Sequence, residues 1–317
     1  RASSMTQPTS WKQSPWLRLA VAALALAALV WLLRDVDPAQ LQEALSRVPA
    51  WVWLVSVLGM VCSHVLRGGR MRAEWRHRLD MDWRSAWALV VRHSAWVVLS
   101  PMRGGEGIYL WALNQHGGIG LKEAGISLLK LRLQDMAVLG VFALATWAPL
   151  SAPLRGAVAT LALVVAVWLV PRVWRWLVRR SQGPAASTPS TQGHALAIES
   201  WAYALSNWAV KLAAIGLPLW FLAGASASAA WSGALGGEWA AAMPIQPPAG
   251  LGPYEAGVLA GVQWVTDLPW SEVAAAALMV HLLMLAVTVG SATLARAWGW
   301  SNRDLRRTQD SQTTSHP

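Results

Sequence analysis

The chain alternates between long apolar blocks and short stretches that are either arginine-rich or broken by proline and glycine. Blocks at 16–33, 50–66, 124–149, 155–178, 200–223 and 272–295 each approach the roughly 20 apolar residues that cross a hydrocarbon layer as a helix. In lipid the backbone must satisfy its own hydrogen bonds, so the pattern predicts an all-α, polytopic membrane protein with six full spans. Two further apolar stretches, 85–117 and 225–265, are interrupted in the middle. The first break is Ser100-Pro101-Met102-Arg103-Gly104-Gly105-Glu106, and the second is Pro244-Ile245-Gln246-Pro247-Pro248-Ala249-Gly250-Leu251-Gly252. Proline and glycine at such points end one half-helix and start another.

The distribution of arginine assigns sides. Residues 67–84 carry Arg67, Arg70, Arg72, Arg76, Arg78 and Arg84; residues 172–180 carry Arg172, Arg175, Arg179 and Arg180; the tail carries Arg296, Arg303, Arg306 and Arg307. Short basic loops stay in the cytoplasm, so these segments are expected inside, with 34–49, 150–155 and 266–271 outside. Between the first two basic segments, 124–149 crosses and 155–178 returns. The stretch 85–117 must then enter and leave from the cytoplasmic side, and the same reasoning makes 225–265 a hairpin from the outer side.

The expected organisation is a cytoplasmic tail at 1–15, a first membrane half at 16–178 with hairpin 85–117, and a flexible cytoplasmic linker at 179–197. A second half at 198–297 with hairpin 225–265 and a disordered cytoplasmic tail at 298–317 complete it. The first block is followed by Arg34-Asp35-Val36-Asp37-Pro38, not by a small-residue cleavage site, which predicts a retained span. Residues 37–48 predict an amphipathic helix on the outer surface.

Composition narrows the function. Hydrophobic residues make up 55% of the chain and charged ones 13%, in keeping with lipid as the solvent. Tryptophans gather beside arginines at segment ends, as at Trp75, Trp83, Trp174, Trp176 and Trp298, forming an interfacial belt. The net charge of +10 raises nucleic acid as a partner, but the arginines border spans and no recognition module is interleaved with them, so nucleic-acid binding is not expected. A single cysteine, Cys62, leaves no intrachain disulfide, and His64 and His281 lack a second ligand at helical spacing. No metal or cofactor is expected.

The two broken segments are followed by matching intervals. Glu106 lies 17 residues before Glu123 and 26 before Arg132; Glu255 lies 17 before Glu272 and 26 before His281. With opposite expected topology, this reads as an inverted repeat, an architecture that places a ligand near the bilayer midplane where the breaks meet. Half-helix N-termini carry unpaired N–H groups and partial positive charge, which suits phosphate or carboxylate.

At these same residues the chain resembles the flippase-like membrane domain of the lysylphosphatidylglycerol synthase family. The family's Pro-x-Arg-x-Gly-Glu break, Arg-x-x-Asp on the next span and late Pro-x-x-Gly-x-Gly-x-x-Glu break read here as Pro101 to Glu106, Arg132-Leu133-Gln134-Asp135 and Pro247 to Glu255. The likeness extends to Leu66-Arg67, Arg72 and Trp75. Tyr109 stands where the family has an arginine three residues after the first glutamate, Leu131 where a glutamate precedes the Arg-x-x-Asp, and His281 where an arginine is expected on the last span. The resemblance implies a lipid-handling membrane domain. No soluble aminoacyl-transfer domain follows it here, so the chain is not expected to be a synthase, or an enzyme, by itself.

Substrate-binding candidates are Arg103, Gly104, Gly105, Glu106, Arg132, Asp135, Gly250, Gly252 and Glu255. Charges at bilayer depth cost roughly 2.5–3.5 kcal/mol on insertion scales, so they face a cavity or a partner. The Arg103 fork suits phosphate oxygens, and the glycines would let a headgroup approach the backbone. Arg132 and Asp135, three apart on one helix face, either pair with each other or contact substrate. Glu106 and Glu255 either cap half-helices or handle a proton or cation. Lys211, four residues after Asn207, is functional or part of a packed polar pair, and Arg92, His93 and Glu238 on the hairpin limbs are candidates for a cross-hairpin contact.

The function expected is transport of a phospholipid or other lipid-phosphate headgroup between leaflets of a bacterial inner membrane, with anionic or phosphate-bearing lipids as partners. Alternatives are an accessory subunit for a lipid-synthesis enzyme or glycosyltransferase, and an intramembrane lipid-modifying enzyme. Against the last, the chain contains no His-Glu-x-x-His and no Gly-x-Ser-x-Gly elbow.

Overall fold

The computed structural model of the protein describes residues 38–76, 78–100, 104–146, 150–182, 198–243 and 246–298, and every regular element among them is helical. In chain order these are α1 (Pro38–Arg47), α2 (Ala50–Trp75), α3 (Trp83–Leu99), α4 (Glu106–Gly117), α5 (Leu121–Ala145) and α6 (Ala152–Gln182). After the linker come α7 (Ile198–Leu222), α8 (Ala227–Ala242), a 3₁₀ turn at Pro248–Gly250, α9 (Pro253–Gln263) and α10 (Trp270–Ala297). Helix α6 continues through Pro171 into the first residues of the expected linker.

Among the described residues, four helices are long and apolar enough to cross a bilayer: α2, α6 from Ala152 to Val173, α7 and α10. The protein is therefore a multi-pass membrane protein by its architecture. The expected span at 16–33 lies outside the described residues. Helix α5 is long enough but carries Lys122, Glu123, Lys130, Arg132 and Asp135. Beyond its exposed first turn the polar side chains point inward, with Lys130, Gln134 and Asp135 buried, while Leu129 and Leu133 are exposed. Apolar outside and polar inside is the arrangement a lipid solvent selects.

Both interrupted stretches fold back on themselves. In the first, Asp82 caps α3 by accepting the Ser85 N–H at 2.8 Å, α3 ends at Leu99, and α4 starts at Glu106. Gly105 sits so close to the backbone at Trp96 and Val97 that a Cβ there would overlap it, and further along the His93 and Tyr109 rings meet at 5.7 Å. The limbs α3 and α4 therefore run antiparallel. In the second, α8 and α9 pack backbone to backbone: a Cβ on Gly236 would fall on the Gly257 carbonyl, and one on Gly261 on the Ser232 carbonyl. The second break holds three residues in the left-handed region, Ala249 (φ 61°), Gly250 (φ 69°) and Gly252 (φ 88°).

Among the described residues, α2 to α5 of the first half correspond to α7 to α10 of the second. Glu106 and Glu255 are 149 residues apart, and the same displacement carries the starts of α2, α4 and α5 to within two residues of the starts of α7, α9 and α10. Helix α8 begins five residues earlier than α3 would place it. The corresponding helices α2 and α7 pack antiparallel along their length: Trp51 meets Phe221, Gly59 meets Ala214, Ser63 bonds Asn207 at 2.6 Å, and Gly69 meets Tyr203. Antiparallel packing of equivalent helices is what an inverted repeat produces about a two-fold axis in the membrane plane.

Candidate functional site

Between the halves lies a cavity of about 400 Å³ bordered by α2 to α5 and α7 to α10 together with the second break. Such a volume holds a small ligand or a headgroup. Its wall is unusually polar for a helical membrane interior. Ser63, His64 and Arg67 come from α2, His93 and Ser94 from α3, Glu106 from α4, and Arg132 and Asp135 from α5. Asn207 and Lys211 come from α7, Glu238 from α8 and His281 from α10.

Equivalent positions of the repeat carry equivalent contacts. Arg132 Nη2 donates to Glu106 Oε1 at 3.0 Å, and His281 Nδ1 lies 2.6 Å from Glu255 Oε1. The first pair is about a third exposed, 30% and 31%, whereas the second is enclosed, at 2% for His281 and 0% for Glu255. Glu255 also accepts the Gly252 N–H with Oε2 at 2.7 Å, so its side chain caps the start of α9. The Tyr254 ring stacks on His281 at 4.2 Å.

Asp135 departs from expectation. It does not pair with Arg132, three residues before it, but with Arg70 of α2, whose Nη1 donates to Oδ1 at 2.6 Å; Trp208 Nε1 donates to the same oxygen at 2.9 Å. Arg70 also bonds Gln134 Oε1 and the Leu131 carbonyl, so all three of its guanidinium nitrogens are engaged. The cause is rotation about α5: Arg132 faces α4 and Asp135 faces α2 and α7, and burial favours the partner with the fuller hydrogen-bond set. Deeper still, Lys130 pairs with Glu74 at 2.6 Å, and Glu74 accepts from Ser127, which bonds the Tyr109 hydroxyl. Tyr109, in the family's arginine position, is thus part of a closed packing network that also receives Trp75 Nε1.

The other sequence candidates fall into three groups. Gly250 borders the cavity, beside His281. The Gly105 face is filled by the α3 backbone, so this glycine serves the turn rather than a headgroup, and Gly104 lies exposed with its carbonyl accepting the Gly107 N–H. Arg103 lies outside the described residues. Lys211, Asn207 and Glu238 prove to be wall residues: Lys211 Nζ binds Glu238 Oε2 at 2.6 Å, and Glu238 Oε1 has no hydrogen-bond partner.

Arg67 was not a candidate in sequence. Its Nη1 donates to Ser94 Oγ at 2.9 Å, and among the described residues it has no ion pair. The signal that could have found it is the run Ser63, His64, Arg67, Arg70 and Glu74, spaced three or four apart on one face of a helix that extends past the apolar block to Trp75.

A family model for the lysylphosphatidylglycerol synthase transmembrane region matches residues 16–291, nearly the whole chain. The chain belongs to this family. A search of curated proteins finds no match. The matched region is the membrane domain of lysylphosphatidylglycerol synthases, not their catalytic one, and it covers both halves of the repeat and every wall residue of the cavity.

Proposed function

We propose that the protein moves a phosphate-bearing lipid headgroup between leaflets through the cavity between its halves, with Arg67 as the phosphate anchor, and that it is not an enzyme. One observation carries this reading. Arg132 and Lys211 are held by carboxylates, whereas Arg67 faces the same cavity with a hydroxyl as its hydrogen-bond partner. A guanidinium with unused donors inside a membrane span is costly unless an anion arrives, and its fork matches phosphate oxygens in pairs.

The membrane layout that goes with this function has six spans and two opposed hairpins in a bacterial inner membrane, with both termini and the linker cytoplasmic. Gly250 gives the headgroup close access to the second break, while Arg103 and Gly104 continue the path at the first. The Glu106–Arg132 pair, partly exposed, opens or closes the cavity on the α4 side. Membrane lipids with anionic or phosphate headgroups are the partners. A lipid-synthesis enzyme would supply them.

Reconstitution into liposomes with a fluorescent phospholipid tests the function. The expected result is quencher-accessible lipid appearing on both leaflets without chemical change, slowed at least tenfold by Arg67→Gln. Conversion of the lipid to a new product would indicate an enzyme, and an inert protein would indicate an accessory subunit. Either outcome would overturn the proposal.

A further inference from the structure

The two halves carry the same carboxylate at the same place but different partners, and the difference is one of proton chemistry. The partner of Glu106 is an arginine, a residue type that serves as a permanent cation. His281, opposite Glu255, is an imidazole, the side chain whose ordinary titration falls between pH 5 and 8. We infer that the Glu255–His281 pair is a proton site coupled to anion binding in the cavity, so that a lipid phosphate and a proton are taken up together. The inference rests on the lipid-phosphate function proposed above and supplies its coupling ion.

The geometry fixes where the proton goes. Glu255 Oε2 accepts the Gly252 N–H, and Oε1 faces His281 Nδ1 at 2.6 Å. With the carboxylate ionised, Nδ1 must carry hydrogen and donate, so Nε2 is the atom that takes the added proton. His281 is itself a wall residue of the cavity, while Glu255 lies behind it. Without the added proton the pair carries one negative charge. With it the pair is neutral, as Glu106–Arg132 always is. A phosphate in the cavity is repelled by the first state and tolerated by the second, and binding of one ligand must then favour the other by the same factor.

The helices packed against α10 bring five other titratable or charged groups to the cavity that His281 borders: Tyr254 of α9, His93 of α3, Lys211 of α7, and His64 and Arg67 of α2. Lys211 is matched by Glu238. His64 has the cations Arg67 and Lys211 near it, whereas His281 Nδ1 lies directly against a carboxylate. Among the described residues, the pair is thus the place where a proton's arrival is matched by a fixed negative group beside the anion cavity.

The test uses purified full-length protein in detergent and dihexanoyl phosphatidylglycerol, whose phosphodiester does not titrate between pH 5 and 8. Proton uptake is read in weak buffer with a pH indicator, alongside binding by calorimetry. The expected result is uptake approaching one proton per bound lipid at the alkaline end, with affinity weakening by up to about tenfold per pH unit there. His281→Arg, which installs the first half's chemistry, should take up no proton and lose the pH slope. Loss of proton uptake with lipid binding retained in His64→Gln or His93→Gln would put the proton on those rings and overturn the assignment to the pair. Glu255→Gln, which keeps a cap for Gly252, gives a second reading should His281→Arg fold poorly, and it too should lose the uptake. Lipid binding by the unaltered protein without proton uptake overturns the proton site and leaves the lipid function standing. No binding of the phosphate lipid at any pH overturns both.

Discussion

The Glu255 carboxylate stands 2.6 Å from His281 Nδ1 and is fully enclosed, at the interval of 26 residues that also separates Glu106 from Arg132. The same contact thus recurs in both halves, buried in one and partly exposed in the other. Glu255 serves two purposes at once, since it also caps α9 through Gly252.

The two glutamates should therefore differ in what they contribute to stability. Glu255→Ala uncaps α9 and leaves His281 without its partner, a loss of about 1–3 kcal/mol for a buried polar group left unmatched. Glu106→Ala breaks a contact that is about a third exposed, so screening keeps its cost to about 1 kcal/mol or less. Thermal unfolding of both variants in the same detergent checks the order. Equal losses would mean that the enclosed pair contributes no more than the exposed one.

Much of this was legible in sequence because it depends on intervals along the chain. Breaks at Pro101 and Pro247 separate half-helices, the 26-residue interval marks a contact in each half, and Glu123 and Glu272 lie in the first turns of α5 and α10. What stayed hidden depends on distances across the fold. Arg67 and Arg70 sit among surface arginines in the sequence, and only the continuation of α2 to Trp75 turns them inward. Asp135 has a plausible local partner in Arg132, yet its actual partner lies 65 residues upstream, where no helical periodicity points. In sequence Gly105 reads as a point where a headgroup could approach the backbone, but its role is to let the turn lie against the backbone at Trp96.

The Arg70–Asp135 pair is expected to behave as a buried ion pair. Removing one partner, as in Asp135→Asn or Arg70→Met, strands the other in a low-dielectric site and should cost about 3 kcal/mol or more. The double variant Arg70→Met, Asp135→Leu should recover a large part of that loss, because no charge is left unmatched. Unfolding of the three variants in detergent provides the double-mutant cycle. Additive losses would show that the two side chains do not act as a pair.

The hairpin of α8 and α9 should tolerate no side chain at its crossing. Gly236 and Gly257 approach so closely that a methyl group at either overlaps backbone, which has no rotamer to escape into. Gly236→Ala is expected to cost about 1–3 kcal/mol through forced separation of the helices. Gly140 on α5, where a Cβ meets nothing within 4 Å, is the matched control. Its alanine variant should equal or exceed the parent, since alanine favours a helix interior by about 1 kcal/mol over glycine. Melting temperature and monodisperse yield of the two variants measure the contrast.

The last prediction concerns sidedness. Arg76 binds Glu199 at 2.8 Å and Arg78 meets Glu123 at 3.3 Å, so the end of α2 and the starts of α5 and α7 share one face of the molecule. Trp51 and Phe221, at the start of α2 and the end of α7, meet at the opposite face. The arginine-rich face should be cytoplasmic, because short basic loops are retained there. Helix α1 precedes the start of α2 and should then lie outside, and the linker before α7 should lie inside. Single cysteines at Gln42 and Ser187 in a Cys62→Ala background separate these positions. An impermeant maleimide added to intact cells should label Gln42→Cys and leave Ser187→Cys unlabelled until the membrane is opened. Labelling of Ser187→Cys from outside would reverse the orientation and, with it, the leaflet from which each hairpin enters.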